Sequence, residues 1–270
     1  MKVTIFNKKL WRDYLAILGI IGLLTGFLTI FITLKDDYKP WMGIGFLILI
    51  IAIFIVLLYR ANHTDKIQLS INRLKVNVLY GDLFNSVGLK LIPFNEYFDT
   101  LVDNVVIAES TLNGKFIKRY YSNVANFDNQ ISTALSNIPS ENNSSRIMGK
   151  NHKYKLGTTI EVANGYILTA FTHFDDANRA RLTKGEYLLC LDNLWNEIDR
   201  VYAQRNINIP LLGAGISRIG NELKPQDYLE QILNSLRFSN IDLAHNTILN
   251  IVLHESIKEE INLFEIKNRF

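Results

Sequence analysis

The chain has 270 residues, 48% of them hydrophobic and 20% charged, with a formal net charge of +3; that is room for one ordinary domain and an appendage. So small a positive excess gives no argument for nucleic acid as a partner. A single cysteine, Cys190, excludes a disulfide framework and suits a reducing compartment.

The apolar residues are unevenly spread. Leu15–Leu34 and Trp41–Tyr59 carry no charged residue, and only KDDYKP lies between them. At about 1.5 Å per residue each stretch reaches roughly the ~30 Å hydrocarbon core of a bilayer. Residues 1–62 therefore read as a two-span transmembrane hairpin. Lys2, Lys8, Lys9 and Arg12 precede the first span and Arg60, Lys66, Arg73 and Lys75 follow the second, whereas the connecting loop is balanced. This bias puts both termini in the cytoplasm of a cell whose inner membrane the hairpin crosses twice. A signal peptide would have a shorter apolar core and a small-residue cleavage site before Lys35. Gly22 and Gly26 form a GxxxG, with Ala16 and Gly19 before it, and Thr25, Thr29 and Thr33 recur every fourth residue. Such a stripe suits a helix that meets copies of itself. Alternatively, the glycines pack the hairpin against itself and the threonines bond back to their own helix. One hairpin cannot enclose a pore, so a channel would need several chains.

Residues 63–270 read as a cytoplasmic domain. Ile67–Ile71 and Leu74–Val78 alternate apolar and polar residues across Asn72-Arg73, a strand pair. The second runs into Gly81-Asp82-Leu83-Phe84, where a carboxylate at a strand end can accept a hydrogen bond from an adenine amino group. A plain Asp-Gly turn is the alternative. Gly88–Phe94 is another strand and leads to Asn95-Glu96-Tyr97-Phe98-Asp99; Val105–Ala108 is a fourth apolar run. Helices are expected over KFIKRYYSNV and over Asn126–Ile138. Asn164-Gly165 marks a β-hairpin whose second arm ends in Thr172-His173-Phe174-Asp175. Gly185–Gln204 has the apolar spacing of a long amphipathic helix, with Cys190 as a small core residue.

Ile207–Leu212 then reads as a buried strand that stops at Gly213-Ala214-Gly215-Ile216-Ser217, with Arg218 next and a helix opening at Pro225. Glycines flanking an alanine let a ligand touch the backbone and let N–H groups form an anion-binding nest. Strand, glycine loop and helix suit a pyrophosphate cradle. The loop departs from the dinucleotide fingerprint and lacks the P-loop ending. Thr247–Leu253 and Ile261–Ile266 are expected as closing strands. The fold class is α/β: a mixed sheet between helix layers, behind the hairpin.

The order of these pieces resembles the macro domain, an ADP-ribose-binding fold. More closely, GDLF, IPFNEYFDT, STLNGKF, GTTIEV, THFD and NIPLLGAGISR resemble the divergent macro domain of Thoeris anti-phage effectors, and the preceding hairpin resembles the membrane-bound effector of type II Thoeris. The resemblance implies a two-protein circuit. A TIR-domain partner consumes NAD on infection and makes an ADP-ribose derivative, histidine-ADP-ribose in type II systems. The macro domain binds it, chains associate, and the membrane is compromised. By the same resemblance Asp82 holds the adenine, Leu83 and Phe84 offer backbone donors, and Gly213, Ala214, Gly215, Ile216 and Ser217 wrap the diphosphate beside Arg218. Asn95, Phe98 and Asp99 face the distal ribose, and His173 lines the same pocket.

De-ADP-ribosylating macro domains carry a glycine-rich run after the asparagine loop, where this chain has Glu109-Ser110-Thr111-Leu112-Asn113-Gly114. No metal-ligand spacing or nucleophile–base constellation stands out. The expectation is a sensor rather than an enzyme, with no cofactor and no metal. A membrane-tethered ADP-ribosyl hydrolase and a constitutive membrane scaffold are the alternatives.

Overall fold

The computed structural model describes residues 3–32, 35–175, 177–215, 223–244 and 246–270. In chain order the helices are α1 (Lys8–Phe31), α2 (Lys39–Asn62), α3 (Leu112–Tyr120), α4 (Val124–Leu135), α5 (Lys184–Val201), α6 (Pro225–Phe238) and α7 (Leu263–Arg269). The strands are β1 (Lys66–Ile71), β2 (Leu74–Tyr80), β3 (Leu89–Asn95), β4 (Ser140–Asn142), β5 (His152–Tyr154), β6 (Thr159–Val162), β7 (Tyr166–Phe174), β8 (Ala180–Arg181), β9 (Ile207–Pro210) and β10 (Ile248–Leu253). They form two compact units: Met1–Asp65 with Asn262–Arg269, and Lys66–Ile261 with Phe270.

In the first unit α1 and α2 each run 24 residues. Asn7 caps α1 by accepting from the Lys9 and Leu10 amides, and Pro40 sits in the first turn of α2, where its missing N–H costs nothing. Their apolar windows have mean hydropathies of 2.2 and 3.0, long and apolar enough to cross a membrane. Leu23, Phe27, Ile30, Ile48 and Ile55 are all exposed, whereas the core helices of a soluble protein would bury such residues. Thr25 donates to the Ile21 and Gly22 carbonyls and Thr29 to that of Gly26, the back-bonded arrangement; Thr33 lies outside the described residues. A Cβ at Gly19, Gly22 or Gly26 would meet no described atom within 4 Å, so the glycine face packs nothing in this unit.

The helices are joined near the chain's N-terminal end. The Tyr14 hydroxyl donates to the Ile50 carbonyl at 3.1 Å, and the Phe54 ring lies 5.1 Å from Trp11 and 5.2 Å from Tyr14. Val3, Leu10 and Ala61 are buried there, with Phe54, Leu57, Leu58 and Phe264 packed around them. Phe264 belongs to α7, and this corrects the strand expected over Ile261–Ile266. Asn262 accepts from the Glu265 amide at 3.2 Å, while Leu263 and Ile266, three residues apart, are the buried pair. Capping and helical spacing together override the short apolar run.

The second unit is built on a mixed sheet in the order β1-β2-β10-β9-β3-β7-β6, with β8 beside β7. Neighbours from β2 to β7 run parallel; β1, β6 and β8 pair antiparallel. The first hairpin turns on the two residues Asn72-Arg73, both at positive φ, and the second on the three residues Ala163-Asn164-Gly165, of which Asn164 and Gly165 take positive φ, the kind of turn that follows the twist of the strands it joins. One set of alternate residues, including Ile92, Phe94, Leu168 and Ala170, packs under α3 and α4 through Phe116, Phe127 and Ile131. The other meets α5 and α6, where Phe171 contacts Tyr187, Tyr187 contacts Tyr228, and Trp195 donates to the Ser235 hydroxyl. This is the three-layer α/β/α arrangement with a mixed sheet.

A buried amide ladder runs through the sheet. Asn77 donates to Asn250, Asn250 to Asn208, and Asn208 to the Leu89 carbonyl, at 2.8–2.9 Å. Slipping any of these strands by one residue would orphan the amides, so the ladder fixes register. The apolar run Val105–Ala108 is a loop, not a strand, because Asp103 accepts from the Val105 and Val106 amides. Only the isolated bridge Val102–Ile107 links it to regular pairing.

Candidate functional site

Five parallel strands end at one edge of the sheet, and there the loops splay apart. A cleft of about 970 Å³ opens along it. In an open α/β sheet this is where strand-end backbone groups are left for a ligand. Gly81–Phe84 line the cleft after β2, His254, Ser256 and Ile257 after β10, and Leu211–Gly215 after β9. Pro93–Asn95 and Thr172 with Phe174 contribute from the ends of β3 and β7. Residues 104–108 and 110–113 close the side nearest α3.

At the Gly81 end, Asp82 is exposed and one of its oxygens accepts from the Phe84 amide at 2.9 Å. This capping bond starts the short turn Leu83–Asn85, burying Leu83 and leaving Phe84 half-buried. The Arg119 guanidinium lies 3.9 Å from the other Asp82 oxygen and 5.3 Å from the Phe84 ring centre. A Cβ on Gly81 would meet no described atom within 4 Å. Gly213 turns with φ +86°, a left-handed conformation that any other residue enters only at a cost. The carbonyl just before it, on Leu212, is fixed by the Tyr187 hydroxyl at 3.1 Å. Ala214 and Gly215 follow, exposed, on the cleft wall. Ile216, Ser217 and Arg218 lie outside the described residues.

The charge around the cleft is lopsided. Lys115, Arg119 and Arg179 line it, and Asp82 is the single carboxylate among its described lining residues. The wall therefore suits an anion with a hydrogen-bonding head that Asp82 can accept from.

The other predicted contacts part company. Asn95 lines the cleft but is buried, and its amide is already committed. Its oxygen accepts from the Tyr97 and Asp99 amides at 3.1 and 3.2 Å, and its nitrogen donates to Asp99 at 2.8 Å. Phe98 does not face the cleft. It is fully buried with φ +50°, stacked on Phe94 and edge-on to Tyr154. Asp99 is also turned inward, in a buried bidentate pair with Arg146 at 2.6 and 3.2 Å. It accepts the Lys150 amide as well. Arg146 goes on to Asn178, a cleft residue, at 2.7 Å, and its guanidinium sits 3.9 Å above the Tyr97 ring.

His173 is likewise outside the cleft, although its neighbours Thr172 and Phe174 line it. Its Nδ1 meets Glu96 at 2.6 Å and its Nε2 lies 3.5 Å from Glu186. The Glu96 bond holds its pKa above the ordinary value. Glu186 is held below the usual carboxylate range by the Thr183 amide and hydroxyl. Phe98, Asp99 and His173 are therefore not brought together with the predicted contacts that line the cleft. Among the described residues no group of three metal-ligating side chains converges.

Several cleft residues had no sequence-level nomination. Lys115 and Arg119 stand four apart on α3, a spacing that places both on one face. His254 and Ser256 follow an apolar strand directly, the position from which parallel strands present residues to a ligand.

Residues 76–254 match the family described as "Thoeris protein ThsA, Macro domain". The chain is 37% identical over 227 residues to the Thoeris protein ThsA of Bacillus amyloliquefaciens (strain Y2), covering 82% of this chain and 75% of that one. Among solved structures, a substituted macrodomain of Oceanobacillus iheyensis is similar with a TM-score of 0.46 and 12% identity, over 76% of this chain and 97% of its own. The same macrodomain solved with ADP gives a TM-score of 0.39 and 12% identity, over 77% and 96%. At those scores the likeness carries no functional detail.

Proposed function

Because the chain belongs to the Thoeris ThsA macro-domain family, we propose that it is an anti-phage effector whose cleft senses an ADP-ribose derivative, histidine-ADP-ribose, made by a TIR-domain partner. The observation that supports this reading is the cleft itself. A glycine-turned strand end at Gly213–Gly215, an accepting carboxylate at Asp82 and flanking cations at Lys115 and Arg119 share one wall system. Adenine meets Asp82, and the diphosphate meets the amides around Gly213–Gly215.

Residues 1–62 cross the inner membrane twice, with both termini and the macro domain in the cytoplasm. Occupied domains bring chains together, and the assembled hairpins disrupt the bilayer. Ligand at a hundredfold its dissociation constant supplies about 2.7 kcal/mol per site, and sites acting together multiply that bias. The protein reads its ligand without turning it over. The commitment of the Asn95 amide to its own loop supports that: its oxygen accepts from the Tyr97 and Asp99 amides and one of its two N–H donors is held by Asp99, so the group is anchored to the protein rather than aimed at a water. Calorimetry on the full-length protein with ADP-ribose and with histidine-ADP-ribose tests the reading: saturable binding of either sustains it, and binding of neither ends it.

A further inference from the structure

We infer that α7 is the strap through which the cleft acts on the helical hairpin, an inference that rests on the ligand-sensing reading above. The segment leading to α7 is cleft wall. After β10 the cleft is lined by His254, which caps the 3-10 turn Glu255–Glu260, and by Ser256 and Ile257 within that turn. This turn is pinned to the end of β2, next to Gly81 and Asp82. The Gly81 amide donates to the Leu253 carbonyl at 2.9 Å. The Tyr80 hydroxyl donates to the Ile261 carbonyl at 3.4 Å, and the Lys258 ammonium lies 5.5 Å from the Tyr80 ring centre. A ligand that shifts the Asp82 loop therefore acts directly on residues 253–261.

The next residue begins the other unit. From Asn262 onward the chain belongs with α1 and α2, and its attachment there is specific. Phe264 packs with Phe54, Leu57 and Leu58 around buried Leu10 and Ala61. Asn7, the cap of α1, donates to Glu265 at 3.3 Å, and the Lys9 ammonium donates to the Asn268 carbonyl. One end of the strap is thus built into the cleft rim and the other into the hairpin; within the strap the chain passes from one unit to the other at the Ile261–Asn262 peptide bond, and elsewhere it does so at Asp65–Lys66 and Arg269–Phe270. An element that merely filled space would need neither the cap-to-helix bond nor the cleft residues immediately before it.

The test is hydrogen exchange on the full-length chain in phosphatidylethanolamine–phosphatidylglycerol nanodiscs, with and without ADP-ribose or histidine-ADP-ribose. Amides 81–85 and 211–215 report cleft occupancy; amides 57–62 report the hairpin. In the wild type, a probe that protects the cleft is expected to change exchange at 57–62 by at least about threefold. Phe264→Ala should keep the cleft protection and lose the response at 57–62. A Gly-Ser-Gly insertion between Ile261 and Asn262, which leaves both units' contacts intact, should do the same and covers the case in which Phe264→Ala misfolds. Cleft protection without any wild-type response at 57–62, or a response that survives the insertion, overturns the strap. Absence of cleft protection by both probes instead overturns the ligand reading and takes the strap with it.

Discussion

The two sides of the strand-end edge treat their polar groups in opposite ways. Around Gly81–Phe84 and Gly213–Gly215, side chains are small or turned so that the backbone is accessible. The charges there, Asp82 and Arg119, are about half exposed and 3.9 Å apart. Around Asn95–Asp99 the polar groups turn into the fold: Asn95 holds its own loop, and Asp99 and Arg146 are only 2% exposed and paired through both guanidinium NH2 groups, with the Arg146 Nε left buried without a partner. A cleft needs both kinds of construction. An open wall can be left unsatisfied for a partner only if the loop opposite does not collapse into it, and the closed network keeps that loop in place.

The sharpest way to break this contrast is at Arg146. Arg146→Met leaves Asp99 buried without its counter-charge, which should cost roughly 3–5 kcal/mol of stability. Adding Asp99→Asn to Arg146→Met should recover part of the loss, because the buried charge then goes too. Urea unfolding of the full-length protein in detergent measures both. A single-variant cost below about 1 kcal/mol would mean that the network is ornamental and the loop is held by Phe98 and its neighbours.

The open side was the more legible of the two, and the reason is physical. Glycines, an Asp after a strand and apolar runs act locally, so GDLF and LLGAG name their own backbone geometry. The helical hairpin was legible on the same ground, as was the Asn164-Gly165 turn. Pairings across the chain leave no such mark. Nothing near Asp99 announces Arg146, 47 residues on, and an Asn-Phe-Asp loop facing inward has the same residue types as one facing a ligand. The orientation of His173 depended on Glu96 and Glu186, which only the folded sheet brings to it. The C-terminal helix was misread because its strongest cue, packing against α1 and α2, comes from residues some two hundred positions away.

At the open wall, two glycines make a matched pair. Gly81→Val adds bulk where no described atom lies within 4 Å, so stability should stay within about 0.5 kcal/mol. The same branch intrudes on the cleft, and ADP-ribose affinity should fall at least about tenfold, or 1.4 kcal/mol. Gly88→Ala should do the reverse. Its Cβ would lie 2.4 Å from the Asn206 carbonyl oxygen at φ +105°, so the protein is destabilised while any folded fraction binds normally. Calorimetry paired with thermal unfolding separates the two; equal affinity in Gly81→Val and wild type would place the ligand elsewhere.

Arg119 is a gentler probe of the same wall. It is half exposed, so solvent and salt already weaken its field. Arg119→Gln should lower ADP-ribose affinity by roughly threefold to tenfold, in the range of one charge-assisted contact. The salt dependence of binding should also become shallower. An unchanged salt slope would assign the anion to Lys115 or Arg179 instead.

The smallest effect belongs to His173 and separates the closed side from ligand binding altogether. Its folded-state pKa is raised above the ordinary 6.5, first by the Glu96 hydrogen bond, against the opposing pull of burial. The stability it contributes is therefore fully present below about 6.5 and is lost as pH rises through the folded-state value. The side chain is 40% exposed, so water screens the bond and the contribution is modest. Glu186 and Asp175, both held below the usual carboxylate range, act with the opposite sign, but only in acid. Between pH 6 and 9 they stay ionised and His173 can be read without them. The stability difference between wild type and His173→Gln should be largest near pH 6 and fade toward pH 9. ADP-ribose affinity, measured over the same window, should not distinguish the two proteins, because His173 faces Glu96 and Glu186 rather than the cleft. A variant with normal stability and a weakened, pH-dependent affinity would return His173 to the binding wall.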